Sequence, residues 1–244
     1  MIGFEALAGA VPRDIGLWEW FSDPDTWTGE KGILVSALDT ITLCAWVTAT
    51  AIIIAVPLGA GLAHIRKGEL TATWVVNIGR ALPTFAVAGL LVPVFLRAGY
   101  GFEPWPIFIA LTLLALPPIY LNTYTAVRQS DTGAAEAARA MGFSGRDILF
   151  RVELALGAGL ILAGIRIAAV QVVATEPIRA YLGGDGLGRY VRDGLGQNND
   201  TLLIGGAILV AGLATLTGIA LSLLERVALP QGVRRLRVSQ SRQT

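Results

Sequence analysis

Residues able to do covalent chemistry are few in this chain and scattered along it. His64 is its single histidine and Cys44 its single cysteine. Both lie in one apolar run too far apart to share a metal, and His64, beside Arg66 and Lys67, reads as a surface or interface residue. One cysteine also leaves no internal disulfide. No nucleophile stands with a base and an orienting group in a credible set. A phosphate-cradling loop requires G-x-x-x-x-G-K followed by Ser or Thr. The only lysines, Lys31 and Lys67, are each followed by glycine, so any nucleotide-driven work must come from another polypeptide. Arg166 is different, because it interrupts an apolar run where an ionisable group is costly and marks a functional contact by default. Its candidate partners are a backbone carbonyl, Glu176 or a carboxylate on a substrate; a hydrogen bond inside a helix bundle is the plainer reading. Gln171 and Glu176 follow on the same stretch, where a carboxylate could draw a cationic substrate or simply pair with Arg179. Gly183, Gly184, Gly186 and Gly188 would let a loop fold back tightly, as a gate segment or as a plain turn.

The second group of residues is mechanical. In SDTGAAEAARAMGFSGRDILFRVELA, residues 130–155, Asp131 or Thr132 can cap a helix whose body is alanine-rich. Gly142 can take the left-handed conformation that ends it. Ser144 with Asp147 has the spacing of a capping box that starts a second helix. The reading is helix, glycine break, helix. Ala134, Ala137, Ala138 and Met141 are expected on one face as a ridge with little bulk, flanked by Glu136 and Arg139. A groove on another protein could take that ridge and pair with its rim. An amphipathic loop resting on a membrane surface fits the same residues.

The elements that must position these groups are apolar helices. The chain has 244 residues, 54% hydrophobic and 15% charged, with mean hydropathy +0.61. A soluble domain carries about 25% charged residues, so this chain is short of groups to face water. Its net charge of +1 gives no bulk field for nucleic acid. About five membrane-spanning helices are expected, over 40–63, 74–96, 104–127, 154–175 and 201–224, each long enough for a hydrocarbon core of roughly 30 Å at about 1.5 Å per residue. Pro83 and Pro93 fall inside the second and the Pro117-Pro118 pair breaks the third; Pro57, Pro83 and Pro117 are expected to kink their spans. Ala155, Gly159 and Ala163, and Ala207, Ala211 and Thr215, have the four-residue spacing that lets helices approach closely in lipid.

Arg and Lys placement puts the N-terminus outside and the C-terminus in the cytoplasm. Arg66, Lys67, Arg128, Arg139, Arg146, Arg151 and a basic tail then lie inside; Arg13, Lys31, Arg97, Arg179, Arg189 and Arg192 lie outside. Residues 1–32 lack a signal-peptide pattern and form an extracytoplasmic segment whose Trp18, Trp20, Phe21 and Trp27 suit a membrane interface. Residues 33–225 form the membrane domain and 226–244 the basic cytoplasmic tail.

Glu136-Ala137-Ala138, then Gly142, then Val152-x-Leu154 resemble the signature loop of permease subunits of binding-protein-dependent ABC importers: E-A-A, three residues, G, nine residues, I-x-L-P. Val152 replaces the isoleucine and Ala155 the proline, which leaves the bend before the fourth span open. The AVPLG of the first span, LPT of the second and LPP of the third extend the resemblance through the spans. The segment from Glu136 to Arg166 and the YLGGDGLG of Tyr181 to Gly188 are most similar to permeases for osmoprotectants such as glycine betaine, choline and carnitine; permeases for methionine share the outline.

This resemblance implies an all-α membrane protein of the type I ABC importer permease fold, with a cytoplasmic coupling helix between the third and fourth spans. It implies two permease chains (a second copy or a relative), two cytoplasmic ATPases that bind ATP and Mg, and an extracytoplasmic substrate-binding protein, in the cytoplasmic membrane of a prokaryote. Glu136, Ala137, Ala138, Arg139, Met141, Gly142, Phe143, Ser144 and Asp147 would form the ATPase-coupling loop. Arg166, Gln171, Glu176, Gly183, Gly184 and Gly186 would be pathway or gate residues. No catalytic or metal site and no cofactor on this chain is expected. A stand-alone channel or secondary transporter is the competing class, and the inverted repeats expected of it are not visible.

Overall fold

The structure, a computed structural model, describes residues 15–29, 31–68, 83–102 and 104–228. Two short helices, α1 (Leu17–Ser22) and α2 (Pro24–Trp27), precede a long one, α3 (Ile33–His64). Then come α4 (Thr84–Arg97), α5 (Trp105–Arg128), α6 (Thr132–Ala140) and α7 (Gly145–Ile148). A π-helical turn, Leu149–Glu153, joins α7 to α8 (Leu154–Thr175), which tightens into a 3-10 turn over Glu176–Leu182. Two further helices are α9 (Gly188–Gln197) and α10 (Asp200–Ala228).

Four of these runs are long and apolar enough to cross a membrane: Ile33–His64, Trp105–Arg128, Gly145–Leu182 and Asp200–Val227. The sequence expectation for the first, third, fourth and fifth spans is met, with α8 bounded by the predicted residues. Of the second span, α4 is described; Arg80 lies outside the described residues, and Pro83 stands at the N-cap of α4 rather than within it. The Pro117-Pro118 pair does not break α5, which runs through it. The Asn122 amide donates to the Pro118 carbonyl at 2.8 Å, and α8 packs over this stretch. Packed neighbours of this kind keep a proline-containing span helical in lipid.

Packing follows helical spacing. Leu43, Val47, Ala51 and Ala55 form the buried stripe of α3, meeting Leu111, Ala115 and Ile119 of α5 and Ala168 and Val172 of α8. The opposite faces carry exposed Leu38, Trp46, Ile53, Leu90, Leu216 and Leu223, as contact with lipid requires. Of the small residues picked out, Gly159 is buried as expected, whereas Ala155, Ala207, Ala211 and Thr215 are exposed; Gly157 and Gly164 make close approaches to α5. A β-carbon at Gly164 would stand 2.6 Å from Asn122 Cβ.

A second apolar cluster gathers Trp20, Ile33, Leu187, Tyr190 and Leu202 at the Ile33 end of the bundle. Trp20 is buried against Tyr190, with ring centroids 5.5 Å apart, and covers Gly205 of α10. The aromatic segment is therefore partly a core anchor; Trp18, 84% exposed, keeps the expected interfacial character. Of the N-terminal segment, residues 1–14 lie outside the described residues, as does the tail from 229.

Candidate functional site

The loop between α5 and α8 sits at the His64 end of the bundle and is built as its sequence foretells. The Asp131 carboxylate caps α6 by accepting from the Gly133 and Ala134 amides at 2.8 and 3.4 Å. Gly142 ends the helix with φ +86°, a conformation that costs a side-chain-bearing residue. Ser144 and Asp147 form the capping box: the Asp147 amide donates to Ser144 Oγ at 3.3 Å, and the Ser144 amide donates to Asp147 Oδ2 at 3.3 Å. The Ser144 hydroxyl also donates to that carboxylate at 2.5 Å and, with the amide and Arg151, holds its pKa below the ordinary aspartate value.

One face assignment changes. Ala138 is buried with Ala135 against Ile148, and Phe143 and Val152 close this small core. Glu136, Ala137, Arg139, Ala140 and Met141 are exposed, Met141 at 72%. The free ridge is thus Ala137, Ala140 and Met141, about sixty degrees around the helix from the expected one at roughly 100° per residue. The missing proline of the signature has a structural counterpart. A π-turn at Leu149–Glu153 alters the winding of the helix just before the position where the proline would stand.

The candidate pathway residues fall into two places and do not form one site. Arg166 pairs with Glu225 of α10, Nη1 to Oε2 at 3.1 Å, rather than with Glu176. Glu176 is fully buried at the far end, where Arg179 Nη1 lies 3.5 Å from its Oε1 and the Thr40 hydroxyl donates to its Oε2 at 3.2 Å. Thr40 in turn accepts the Leu187 amide at 3.0 Å. Gly186, with φ +97°, lies so near that a β-carbon there would stand 2.8 Å from both Glu176 Oε1 and Thr40 Oγ1. Glu176 therefore ties the glycine loop to α3 and offers no open carboxylate to a cationic solute. Gly184 is buried and its carbonyl accepts from Arg192; Gly183 ends the 3-10 turn with φ +91°. Gln171 is exposed, apart from both clusters.

Two pairs escaped the sequence reading. His64 Nδ1 contacts Glu153 Oε2 at 2.6 Å, linking the last residue of α3 to the last of the π-turn. Glu225 is the partner that Arg166 needed. The available signal was an acid near an apolar run for each unpaired base, but matching partners across 89 and 59 positions needs the packing.

The family model described as "Binding-protein-dependent transport system inner membrane component" matches residues 46–235. The chain belongs to that family. This permease is 31% identical over 205 residues to the choline transport system permease protein OpuBB of Bacillus subtilis (strain 168), covering 84% of this chain and 92% of that one. It is 35% identical over 186 residues to the carnitine transport permease protein OpuCB of Listeria monocytogenes, covering 76% and 83%. Among solved structures, the inward-facing MetNI methionine ABC transporter shares its fold at TM-score 0.70 and 23% identity, over 80% of the permease and 95% of the matched chain. The permease is thus a multi-pass membrane subunit of an ABC importer with the type I permease fold.

Proposed function

We propose that this permease imports a quaternary-amine osmoprotectant of the glycine betaine, choline and carnitine class, driven by a separate ATPase that docks on α6. The observation that carries the reading is the mounting of that helix. α6 presents Glu136, Ala137, Arg139 and Met141 outward, while Ala135 and Ala138 fix it to Ile148 at the root of the run that becomes α8. A push on α6 is delivered to a membrane span through a packed core rather than through a slack loop. Mg and ATP bind on the ATPase, which supplies the hydrolysis. An extracytoplasmic protein delivers the solute, and a second permease chain completes the pathway.

The His64 end faces the cytoplasm in this reading. Arg66, Lys67, Arg139, Arg146 and Arg151 cluster there, as the positive-inside rule favours. At the opposite end Arg192 donates to the Ala180 carbonyl and Arg189 to the Lys31 carbonyl, so those cations serve the fold of the outer loops. The solute class is supported by relatives named for choline and carnitine.

The test is purification from native membranes followed by mass spectrometry of the co-purified subunits, with uptake of radiolabelled glycine betaine, choline, carnitine and methionine by the reconstituted complex. Co-purified ATPase and uptake of one of the first three are expected. Uptake of methionine alone would overturn the solute class, and absence of any ATPase would overturn the docking role.

A further inference from the structure

Resting on the coupling role of α6, we propose that the His64–Glu153 pair is the positioning strut that makes α3 move with α6 and α8. Three observations converge on it. Ala135 and Ala138 of α6 share one apolar core with Ile148 of α7 and Val152 of the π-turn, so these elements behave as one body. Glu153 is the last residue of that turn, where the helix winding changes before α8 begins. His64 is the last residue of α3, and its Nδ1 lies 2.6 Å from Glu153 Oε2.

An ionised carboxylate only accepts, so Nδ1 carries the proton and donates. The other ring nitrogen, Nε2, lies 3.4 Å from where a β-carbon on Gly145 would stand, so the imidazole is wedged between α7 and the π-turn. Glu153 is buried and the His64 side chain is 20% exposed, so water competes weakly for the bond and a charged acceptor strengthens it. An open cleft lined by His64, Arg66, Arg128, Glu136, Arg139 and Glu153 lies between α6 and the ends of α3 and α5. Both members of the pair belong to that lining. Packing of α3 against α5 and α8 already passes part of a displacement of α8 to α3; the strut adds a direct link at the α6 end, so that two walls of the bundle reorient together.

The experiment compares wild type, His64→Ala, His64→Asn and Glu153→Gln, each purified as the whole complex with its co-purifying ATPase and reconstituted. ATP hydrolysis and uptake of whichever labelled amine the wild type takes up are read in the same vesicles. Asparagine places an amide N–H where Nδ1–H stands and keeps the bond to Glu153. His64→Ala should retain the ATPase and hydrolyse ATP, yet move about tenfold less solute per ATP, the size of a typical coupling between sites. Glu153→Gln should fall in the same direction, and His64→Asn should recover most of the ratio. Three results would each overturn the strut: a wild-type ratio in His64→Ala, failure of His64→Asn to do better than His64→Ala, or loss of the ATPase in both His64→Ala and Glu153→Gln. The third makes the pair a support for docking rather than a transmitter. A wild-type complex without any ATPase defeats the docking reading instead, which keeps the two failures distinct.

Discussion

At the scale of single residues, several buried or part-buried charged groups of this permease are paired within the chain: Arg166 with Glu225, Glu176 with Arg179 and Glu153 with His64. Arg166 and Glu225 show what that matching requires. Their side chains are 35% and 11% exposed, and each alone would leave an ion in an apolar span. Arg166→Met should lower the unfolding free energy of the detergent-extracted permease by about 2 kcal/mol, because the part-buried Glu225 loses its Arg166 partner. The double replacement Arg166→Met with Glu225→Met should recover most of that loss; thermal unfolding of all three proteins checks it. The same deletion outside the membrane would be mild, since exposed pairs contribute little. Contacts within a few residues were legible in the sequence: the Ser144–Asp147 box and the Gly142 break are set by spacing alone. Arg179 was legible as one of two candidate partners for Glu176, the other being a cationic substrate, but the Glu176 bond to Thr40 spans 136 positions and no local pattern encodes it.

At the scale of elements, apolar runs free of charge announced α3, α5 and α10, because length and hydropathy suffice for a span. The face that each helix buries was less legible. Ala137 and Ala138 are neighbours of the same size, and only the core under α6 decides that the second one turns inward. The two positions therefore separate docking from folding. Ala138→Leu overfills the contact with Ile148 and should cost about 2 kcal/mol of stability. Ala137→Leu lies on the exposed ridge and should leave stability within about 0.5 kcal/mol while weakening retention of the ATPase. Unfolding temperature and subunit ratio after purification, measured on both variants, give the two answers. An unchanged subunit ratio in Ala137→Leu would place the docking face elsewhere on the loop. The π-turn was not legible, since the sequence showed an absent proline and no substitute for its bend.

At the scale of the whole molecule, the chain is a lever attached to an incomplete wall. Exposed Leu38, Trp46 and Ile53 on α3 and Leu216, Leu223 and Leu224 on α10 give it apolar surfaces suited to lipid, and in the proposed reading to a second permease chain. The clusters at its two ends do different work. One seats α6 on Ile148 at the root of α8, beside the His64–Glu153 contact; the other holds the glycine loop through Glu176, Thr40 and Gly186. In the proposed reading, reorientation of the spans is driven from outside the chain, by a separate ATPase. The most direct test is solute uptake by vesicles holding this permease and its binding protein, with and without the co-purified ATPase and ATP. The account predicts accumulation against a gradient with both present and none when either is omitted. Equal accumulation without the ATPase would contradict it.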